Sequence, residues 1–280
     1  MTDGFVVVDK PAGMTSHDVV GRCRRIFAQK RVGHAGTLDP DATGVLVVGL
    51  GRATRLMQYM TGLDKAYSAR IVLGAATTTL DAAGEVTGSW DMSGVALDDV
   101  RRAAEKLTGP IDQIPPMVSA VKVGGRRLHQ LARQGVEVER PARPVTVHRF
   151  DCLSLDAGVV RAEIECSSGT YIRVLADDLG RLLGGGAHVG RLRRTSVGPW
   201  RDADATPLDA TGPDRVHPPA AMLPWLEAVT VAGDREADVR HGRPLSGDDL
   251  GARGGGPWRV VDASGDLLAV YEPDRRIVLV

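Results

Sequence analysis

The sequence contains little that would indicate a secreted, membrane-spanning or metal-binding protein. It has three cysteines in 280 residues, Cys23, Cys152 and Cys166. Their odd number and wide spacing argue against a disulfide framework or a cysteine-based metal site, and suit structural thiols in a reducing cytoplasm. No apolar run approaches the roughly 20 residues of a membrane-spanning helix. The N-terminus lacks a basic region followed by an apolar core, so we expect no signal peptide and a cytoplasmic protein.

The formal net charge of the chain is zero, because 35 basic residues balance 35 acidic ones. A neutral chain at first speaks against a nucleic-acid partner. The charges are nevertheless segregated along the sequence, with basic clusters at 22–31, 122–149 and 181–201 and acids gathered at 202–214. One such cluster is typical of a solvated surface, whereas three favour an anionic polymer as partner.

One stretch combines three glycines, a proline and two aspartates between a helical pattern and an apolar strand. It reads Gly33-His34-Ala35-Gly36-Thr37-Leu38-Asp39-Pro40 and continues as Ala42-Thr43-Gly44-Val45-Leu46. Glycine permits backbone conformations that a Cβ forbids, and Pro40 restricts the residues before it toward extended geometry. The pattern therefore predicts a rigid loop that projects the Asp39 carboxylate. A simple turn, with Asp39 bonded to its own backbone, explains the spacing equally well.

This stretch resembles the signature of the TruB-type tRNA pseudouridine synthases. The resemblance is strong over residues 4–200 and weaker beyond. Three further segments support it: the strand with Lys65-x-Tyr67 that leads to Thr77–Gly84, the segment Ser167–Arg173, and the basic stretch 113–144.

The resemblance implies roles for three residues of a catalytic centre. Asp39 is the essential catalytic residue, Arg173 pairs with it, and Tyr67 packs on the target base and is a possible proton acceptor. Taken alone, a strand tyrosine is more often a packing residue and an early helical arginine a surface residue. The reaction has no redox change and needs no energy input, so the resemblance implies neither cofactor nor metal.

Further residues are candidates for contact with the substrate. By resemblance, Tyr171 lines the pocket, Leu192 makes an apolar contact with the uracil, and His34 fills the space that a flipped base vacates. A histidine among glycines could equally cap its loop. The remaining candidates belong to the matching motifs or to the basic clusters: Gly36, Lys10, Lys122, Arg126 and Arg193.

For the fold, we predict a mixed α/β chain (α+β class) with a largely antiparallel central sheet flanked by helices. Apolar runs predict strands such as Phe5–Val8 and Val45–Val48, and Ser16 is expected to cap the first helix. The resemblance implies a pseudouridine synthase domain at 1–222, with a thumb-like RNA-binding insertion at about 113–144. A PUA-like β-barrel is expected at 223–280, beyond a linker rich in proline and acids.

The function implied by the resemblance is isomerisation of uridine 55 in the TΨC stem-loop of tRNA. The expected enzyme flips the base out of the RNA, uses no guide RNA, and is a monomer. Other possibilities are a non-catalytic RNA-binding protein, a guide-dependent relative, and a glycosidase that uses Asp39 and Asp41. The glycosidase requires carboxylates on opposite sides of a sugar, which two positions of one loop rarely provide.

A half-match to a dinucleotide-binding fingerprint at Gly49–Thr54 is better explained as a strand-to-helix turn.

Overall fold

A computed structural model describes residues 2–119, 122–123, 126–127, 134, 136, 138–273 and 276–278. The helices are α1 (Ser16–Ile26), α2 (Met57–Thr61), α3 (Leu97–Glu105), α4 (Ile172–Leu182), α5 (Gly233–Arg240) and α6 (Gly247–Leu250). The first nine strands are β1 (Gly4–Lys10), β2 (Val32–Ala35), β3 (Thr43–Leu50), β4 (Lys65–Leu73), β5 (Ala75–Thr77), β6 (Val86–Ser89), β7 (Gly109–Gln113), β8 (Lys122–Val123) and β9 (Arg126–Arg127). The others are β10 (Arg143–Asp156), β11 (Val159–Cys166), β12 (Ala187–Val197), β13 (Trp200–Arg201), β14 (Thr206–Pro207), β15 (Glu227–Thr230), β16 (Trp258–Val261), β17 (Leu267–Tyr271) and β18 (Arg276–Val278).

The largest sheet has ten strands, in the order β14-β1-β3-β12-β4-β11-β10-β7, with β13 paired to β12 and β2 paired to β3. Its pairs are antiparallel except for β1 with β14 and β3 with β12. The predicted α+β class with a largely antiparallel sheet is therefore confirmed. Strands β4 and β12 lie near the middle, where their neighbours on both sides hold them in register.

The parallel contact between β3 and β12 depends on a glycine. Gly44 lies opposite Arg194 in the register, and its φ is +101°. A Cβ at this position would lie 2.2 Å from the carbonyl oxygen of Arg194. Only a residue without a side chain lets the two strands approach this closely. Gly44 therefore helps bring β12 beside the strand that follows the Asp39 loop.

Helix α1 begins one residue earlier than the sequence predicted. Its N-cap is Thr15, whose hydroxyl accepts from the amide of Asp18 while Asp18 bonds back to the Thr15 amide. This reciprocal capping box satisfies two free amides at the helix start. The prediction of Ser16 as the cap is wrong, because the Ser16 side chain is buried and points to the Asp39 loop instead.

The C-terminal strands form a four-stranded sheet in the order β15-β16-β17-β18, and those strands do not close into a barrel in the described part of the chain. This sheet shares an apolar cluster with the large sheet, in which Leu267 and Val270 pack with Phe5 and Met57. The Tyr59 hydroxyl on α2 also donates to Glu272 at 2.7 Å.

The segment predicted as a linker is packed rather than free. Within it, β14 pairs with β1, and Met222 and Leu223 are fully buried in the same apolar cluster. Proline and acid content predicted a linker and did not reveal this packing. All three cysteines are buried and free, as predicted, and burial raises the pKa of each thiol to about 11. No helix in the described ranges is long and apolar enough to cross a bilayer.

Candidate active site

A pocket of about 380 Å³ opens where the middle of the large sheet meets the Asp39 loop and the start of α4. We call residues 36–42, between β2 and β3, the motif loop. The pocket is lined by Gly36, Thr37, Leu38, Asp39, Thr61, Lys65, Tyr67, Ser119, Gly169, Thr170, Tyr171, Ile172, Arg173, Leu192 and Arg194. Five segments far apart in sequence thus converge on one cavity of the volume that a small ligand requires.

The motif loop is held by buried polar groups from the N-terminal part of the chain. The Ser16 hydroxyl accepts from the Leu38 amide at 2.8 Å and donates to the Leu38 carbonyl at 3.2 Å. The Lys10 ammonium, which is fully buried, donates to the carbonyls of Pro11, Met14 and Pro40. Two anchors therefore flank Asp39, one on each side.

The Asp39 carboxylate faces Arg173 in a two-pronged ion pair. Arg173 Nε lies 2.9 Å from Oδ2, and Nη2 lies 3.1 Å from Oδ1. The turn predicted from spacing exists as well, since the Asp39 carbonyl accepts from the amide of Ala42. That turn uses the backbone and leaves the carboxylate for the pocket. Asp41 is exposed and does not line the pocket, so the glycosidase arrangement is not formed.

Arg173 is buried and uses its whole guanidinium. Besides Asp39, Nη1 donates to the Thr79 carbonyl at 2.8 Å and lies 3.6 Å from Asp81 Oδ2, and Nη2 donates to the Val118 carbonyl at 2.9 Å. A planar guanidinium with five N–H groups can bind such a set of acceptors, which a lysine ammonium cannot. Arg173 therefore joins Asp39 to two other segments, the β5–β6 loop and the start of the basic stretch.

The environment of Asp39 raises the pKa of its carboxyl above the ordinary 3.8. Removal from water is the main cause, and the negative charge of Asp81 adds to it, while the Arg173 guanidinium acts in the opposite direction. Each effect has the expected sign, because low polarity disfavours the ionised acid and a nearby cation favours it. The carboxylate is thus more basic than a solvent-exposed aspartate.

The floor of the pocket is one face of the central strands. Tyr67 on β4 and Arg194 on β12 are cross-strand partners, and Lys65 and Leu192 lie two positions away on the same face. We call these four residues the pocket floor. Alternation of side chains along a strand places each pair on one side of the sheet. The sequence analysis identified Tyr67 and Leu192 but did not single out Lys65 or Arg194.

Arg194 is a buried cation that is bonded mainly to backbone oxygens. Its Nε donates to the Val45 carbonyl at 2.8 Å, and its terminal nitrogens donate to the carbonyls of Gly36 and Thr37. The Tyr67 phenol, its cross-strand neighbour, favours the charged form of the guanidinium. Burial raises the pKa of Tyr67, although Arg194 opposes this effect, so Tyr67 is a neutral phenol at neutral pH.

Only some of the residues predicted to contact the substrate line the pocket. Tyr171 and Gly36 line the pocket, whereas His34 does not; its Nδ1 is buried with no partner among the described groups, and burial lowers its pKa. Lys10 is wholly buried, lies outside the pocket lining and supports the motif loop from behind, and its contact with substrate stays a prediction. Lys122 and Arg126 lie in the short hairpin β8–β9, and their side chains are outside the described set.

Charges that are segregated in the sequence are not all segregated in space. Arg193, predicted to contact RNA, is bridged to Asp9 and Asp202 at 2.9 and 3.0 Å. Arg149 is surrounded by three acids, the nearest at 2.6 Å. In the folded chain these acids lie next to the basic clusters and form ion pairs with them. Counting basic residues along the sequence therefore overestimates the positively charged surface that is free to bind RNA. Among the described residues no three histidine, cysteine or acidic side chains could hold a metal ion.

Comparison with known proteins gives a consistent result along the chain. Residues 24–172 match the family model for the TruB family pseudouridylate synthase (N-terminal domain), and residues 173–210 match the tRNA pseudouridylate synthase B C-terminal domain. The tRNA pseudouridine synthase B of Symbiobacterium thermophilum is 51% identical over 245 residues, covering 86% of this chain and 82% of that protein. Its counterpart from Mycobacterium sp. (strain KMS) is 47% identical over 277 residues, covering 96% and 92%.

Solved structures agree with this result. A chain in a Cbf5–Nop10–Gar1 complex aligns with a TM-score of 0.75 and 28% identity, covering 96% of this chain and 78% of its own length. A chain in an H/ACA RNP bound to a substrate RNA containing 2′-deoxyuridine aligns with a TM-score of 0.72 and 25% identity, covering 95% and 77%. The architecture is thus that of the pseudouridine synthases, a class of isomerases. Within that class the chain belongs to the TruB family, and its reaction is the isomerisation of uridine to pseudouridine in tRNA.

Proposed function

We propose that the protein isomerises the uridine at position 55 in the TΨC loop of tRNA, with Asp39 as its essential carboxylate. The observation that carries the proposal is the two-pronged pair of Asp39 and Arg173 in the wall of a cavity of about 380 Å³. Arg173 keeps the carboxylate ionised against the cost of burial, and the pair holds it in a fixed direction.

The reaction requires the C1′–N1 bond to break, the base to rotate, and a new bond to form from C5 to C1′. Asp39 acts as nucleophile or base beside the sugar, and Tyr67 provides a flat surface for the uracil. Leu192 lies on the same side of the pocket and supplies an apolar contact. Loss of the C5 hydrogen to solvent completes the isomer.

A uridine within folded RNA must leave its stack to enter this pocket. The cost of flipping is about a few kcal/mol, which contacts with the base and the phosphates offset. We propose that the His34 side chain fills the space that the flipped base leaves in the RNA. Its half-buried ring lies on β2, shortly before the motif loop.

The thumb-like segment 113–144 is proposed to clamp the stem-loop. Its start is tied to the pocket, because Gln113 exchanges two hydrogen bonds with the backbone of Tyr171 and the Val118 carbonyl accepts from Arg173. Residues 223–280 are proposed as a second, PUA-like RNA-binding unit that packs on the catalytic unit at 1–222. RNA stem-loops are recognised largely by shape, which a protein can read without a guide RNA. The protein is further proposed to be a monomer that acts in the cytoplasm.

The test follows tritium release from tRNA transcripts that carry [5-³H]uridine, with no added cofactor. We expect the wild-type protein to release label from the single TΨC site, and Asp39→Asn to bind the tRNA without release. A transcript with cytidine at position 55 is the matched substrate control. If the wild-type protein releases label equally from the transcript with cytidine at position 55, the assignment of that position is wrong, and release by Asp39→Asn would overturn the role of Asp39.

A further inference from the structure

Two cations of the pocket floor converge under the motif loop. A Cβ built on Gly36 would lie 3.5 Å from Arg194 Nη1 and 3.6 Å from Lys65 Cε, so both positive side chains approach the same point. Both are almost fully buried and both line the pocket. Placing two like charges side by side away from water is unfavourable unless an anion joins them.

The groups that hold these cations are neutral. The Lys65 ammonium donates to the carbonyls of Thr61 and Leu63, and two such bonds leave its third N–H for another acceptor. Arg194 bonds to backbone carbonyls, and its cross-strand neighbour is the neutral Tyr67 phenol. Burial and the neighbouring Arg194 lower the pKa of Lys65 to about 8, so it is still mostly cationic at neutral pH. By contrast, the other pocket cation, Arg173, is paired with Asp39.

The proposed reaction generates an anion at this place. When the C1′–N1 bond breaks heterolytically, both bonding electrons leave with N1, and the charge spreads over N1, O2 and O4 of the detached uracil. C5 of this anion then forms the new bond to C1′. This bond joins the anion to the positive charge left at C1′, so the adduct is neutral, and loss of a proton from C5 to solvent with uptake of one at N1 then gives pseudouridine. A preorganised positive site at the uracil would lower the barrier to the first step.

We propose that Lys65 and Arg194 bind the uracil and stabilise the negative charge that it acquires when the glycosidic bond breaks. This inference rests on the proposed function, and it adds two catalytic residues on strands β4 and β12. It explains why the pocket floor holds two cations whose hydrogen-bond partners are neutral carbonyls, an arrangement that is costly for folding alone.

The test compares single-turnover rates on two tRNA transcripts, one with uridine and one with 5-fluorouridine at the target position. Fluorine makes the uracil anion a better leaving group, so the fluorinated substrate depends less on the cations. Consumption of each nucleoside is measured by nuclease digestion and chromatography. For Lys65→Met we expect the uridine rate to fall about 100-fold and the 5-fluorouridine rate only about 10-fold. Lys65→Arg retains the charge, so the ratio of its rates on the two transcripts should lie close to the wild-type ratio.

Lys10→Met is the matched control, because Lys10 is also a buried lysine bonded to carbonyls but lies outside the pocket lining. It should slow both substrates by the same factor. Lys65→Gln keeps an N–H donor for the two carbonyls and serves if the methionine variant does not fold. Equal slowing of both substrates in Lys65→Met or Lys65→Gln would overturn the inference. Failure of the wild-type protein to convert uridine would instead overturn the proposed function.

Discussion

The Ser16 hydroxyl and the Leu38 backbone exchange two hydrogen bonds, at 2.8 and 3.2 Å, although 22 residues separate them. Both groups are buried, so neither bond is weakened by competition from water. The pair fixes the residue that precedes Asp39 to the first turn of α1. The direction of the Asp39 carboxylate is therefore set in part by a helix that makes no contribution of its own to the lining of the pocket.

Replacing Ser16 by alanine should reduce kcat about 10-fold or more while leaving tRNA binding nearly unchanged, since a misplaced carboxylate costs rate rather than affinity. Thr15→Ala is the matched control. It removes the N-cap of the same helix at a cost of about 1 kcal/mol in stability, but it leaves Leu38 bonded. Rapid-quench kinetics and thermal unfolding of both variants distinguish the two effects. An equal kcat for the two variants would contradict the role assigned to Ser16.

Arg173→Lys should strongly reduce the activity despite keeping the charge. One ammonium cannot serve both Asp39 oxygens together with the Thr79 and Val118 carbonyls. Unpaired buried acceptors cost about 1–3 kcal/mol each, so we expect kcat to fall about 100-fold. The corresponding exchange at Arg193, which bridges two partly exposed acids, should change kcat less than about threefold. Filter binding should show both variants retaining tRNA.

The pH dependence of the rate should report the Asp39 carboxyl. Its pKa lies above 3.8 because of burial, so the single-turnover rate should rise with pH and reach half its maximum above that value. Arg173 lowers this pKa, and its replacement by glutamine should therefore shift the midpoint to higher pH. A shift to lower pH, measured on the residual activity, would show that another group limits the rate.

Asp39 should also reduce the stability of the protein at neutral pH. The pKa of Asp39 is higher in the folded protein than in the unfolded chain, so protonation of this carboxyl favours folding. This stabilising contribution is lost as the pH rises through the folded-state pKa. We therefore expect Asp39→Asn to exceed wild type in free energy of unfolding at pH 7, with the difference shrinking as pH falls toward 4. Urea unfolding at the two pH values measures it. A difference that grows on acidification would disprove the sign.

The C-terminal sheet should unfold together with the large sheet. Val270 is fully buried in the cluster that also contains Phe5 and Met57, so Val270→Ala should cost about 2 kcal/mol. Calorimetry should show a single transition that moves as a whole to lower temperature. Leu153→Ala, at a half-exposed leucine, is the control and should change stability by less than about 0.5 kcal/mol. Two separate transitions would indicate independent domains.

The sequence predicted the secondary-structure elements and the motif loop because those signals are local. Apolar runs identified the strands, and the motif loop with its aspartate was recognisable from consecutive residues. The pairing of Asp39 with Arg173 spans 134 residues and followed only from the family resemblance. Without that resemblance, a turn aspartate and an early helical arginine gave no reason to place them together.

Sequence reasoning missed Arg194 because its role depends on which side of strand β12 faces the pocket. Arg193 and Arg194 are neighbours in one basic run, yet Arg193 bridges two surface acids while Arg194 is buried in the pocket floor. Alternation shows that the two point in opposite directions, but not which direction is inward. Shifts in the register of β12 against β4, one of them directly after Arg194, further obscure that choice.

The absence of a side chain at Gly44 has a consequence for redesign of this enzyme. Any substitution there would place a Cβ against the Arg194 carbonyl and force β3 away from β12. The same displacement would move the Arg194 side chain, and with it the carbonyls of the motif loop that it holds. Substrate range and foldability are therefore linked at this strand pair, and attempts to enlarge the pocket have more freedom at Leu192 or Thr61 than along the β3–β12 seam.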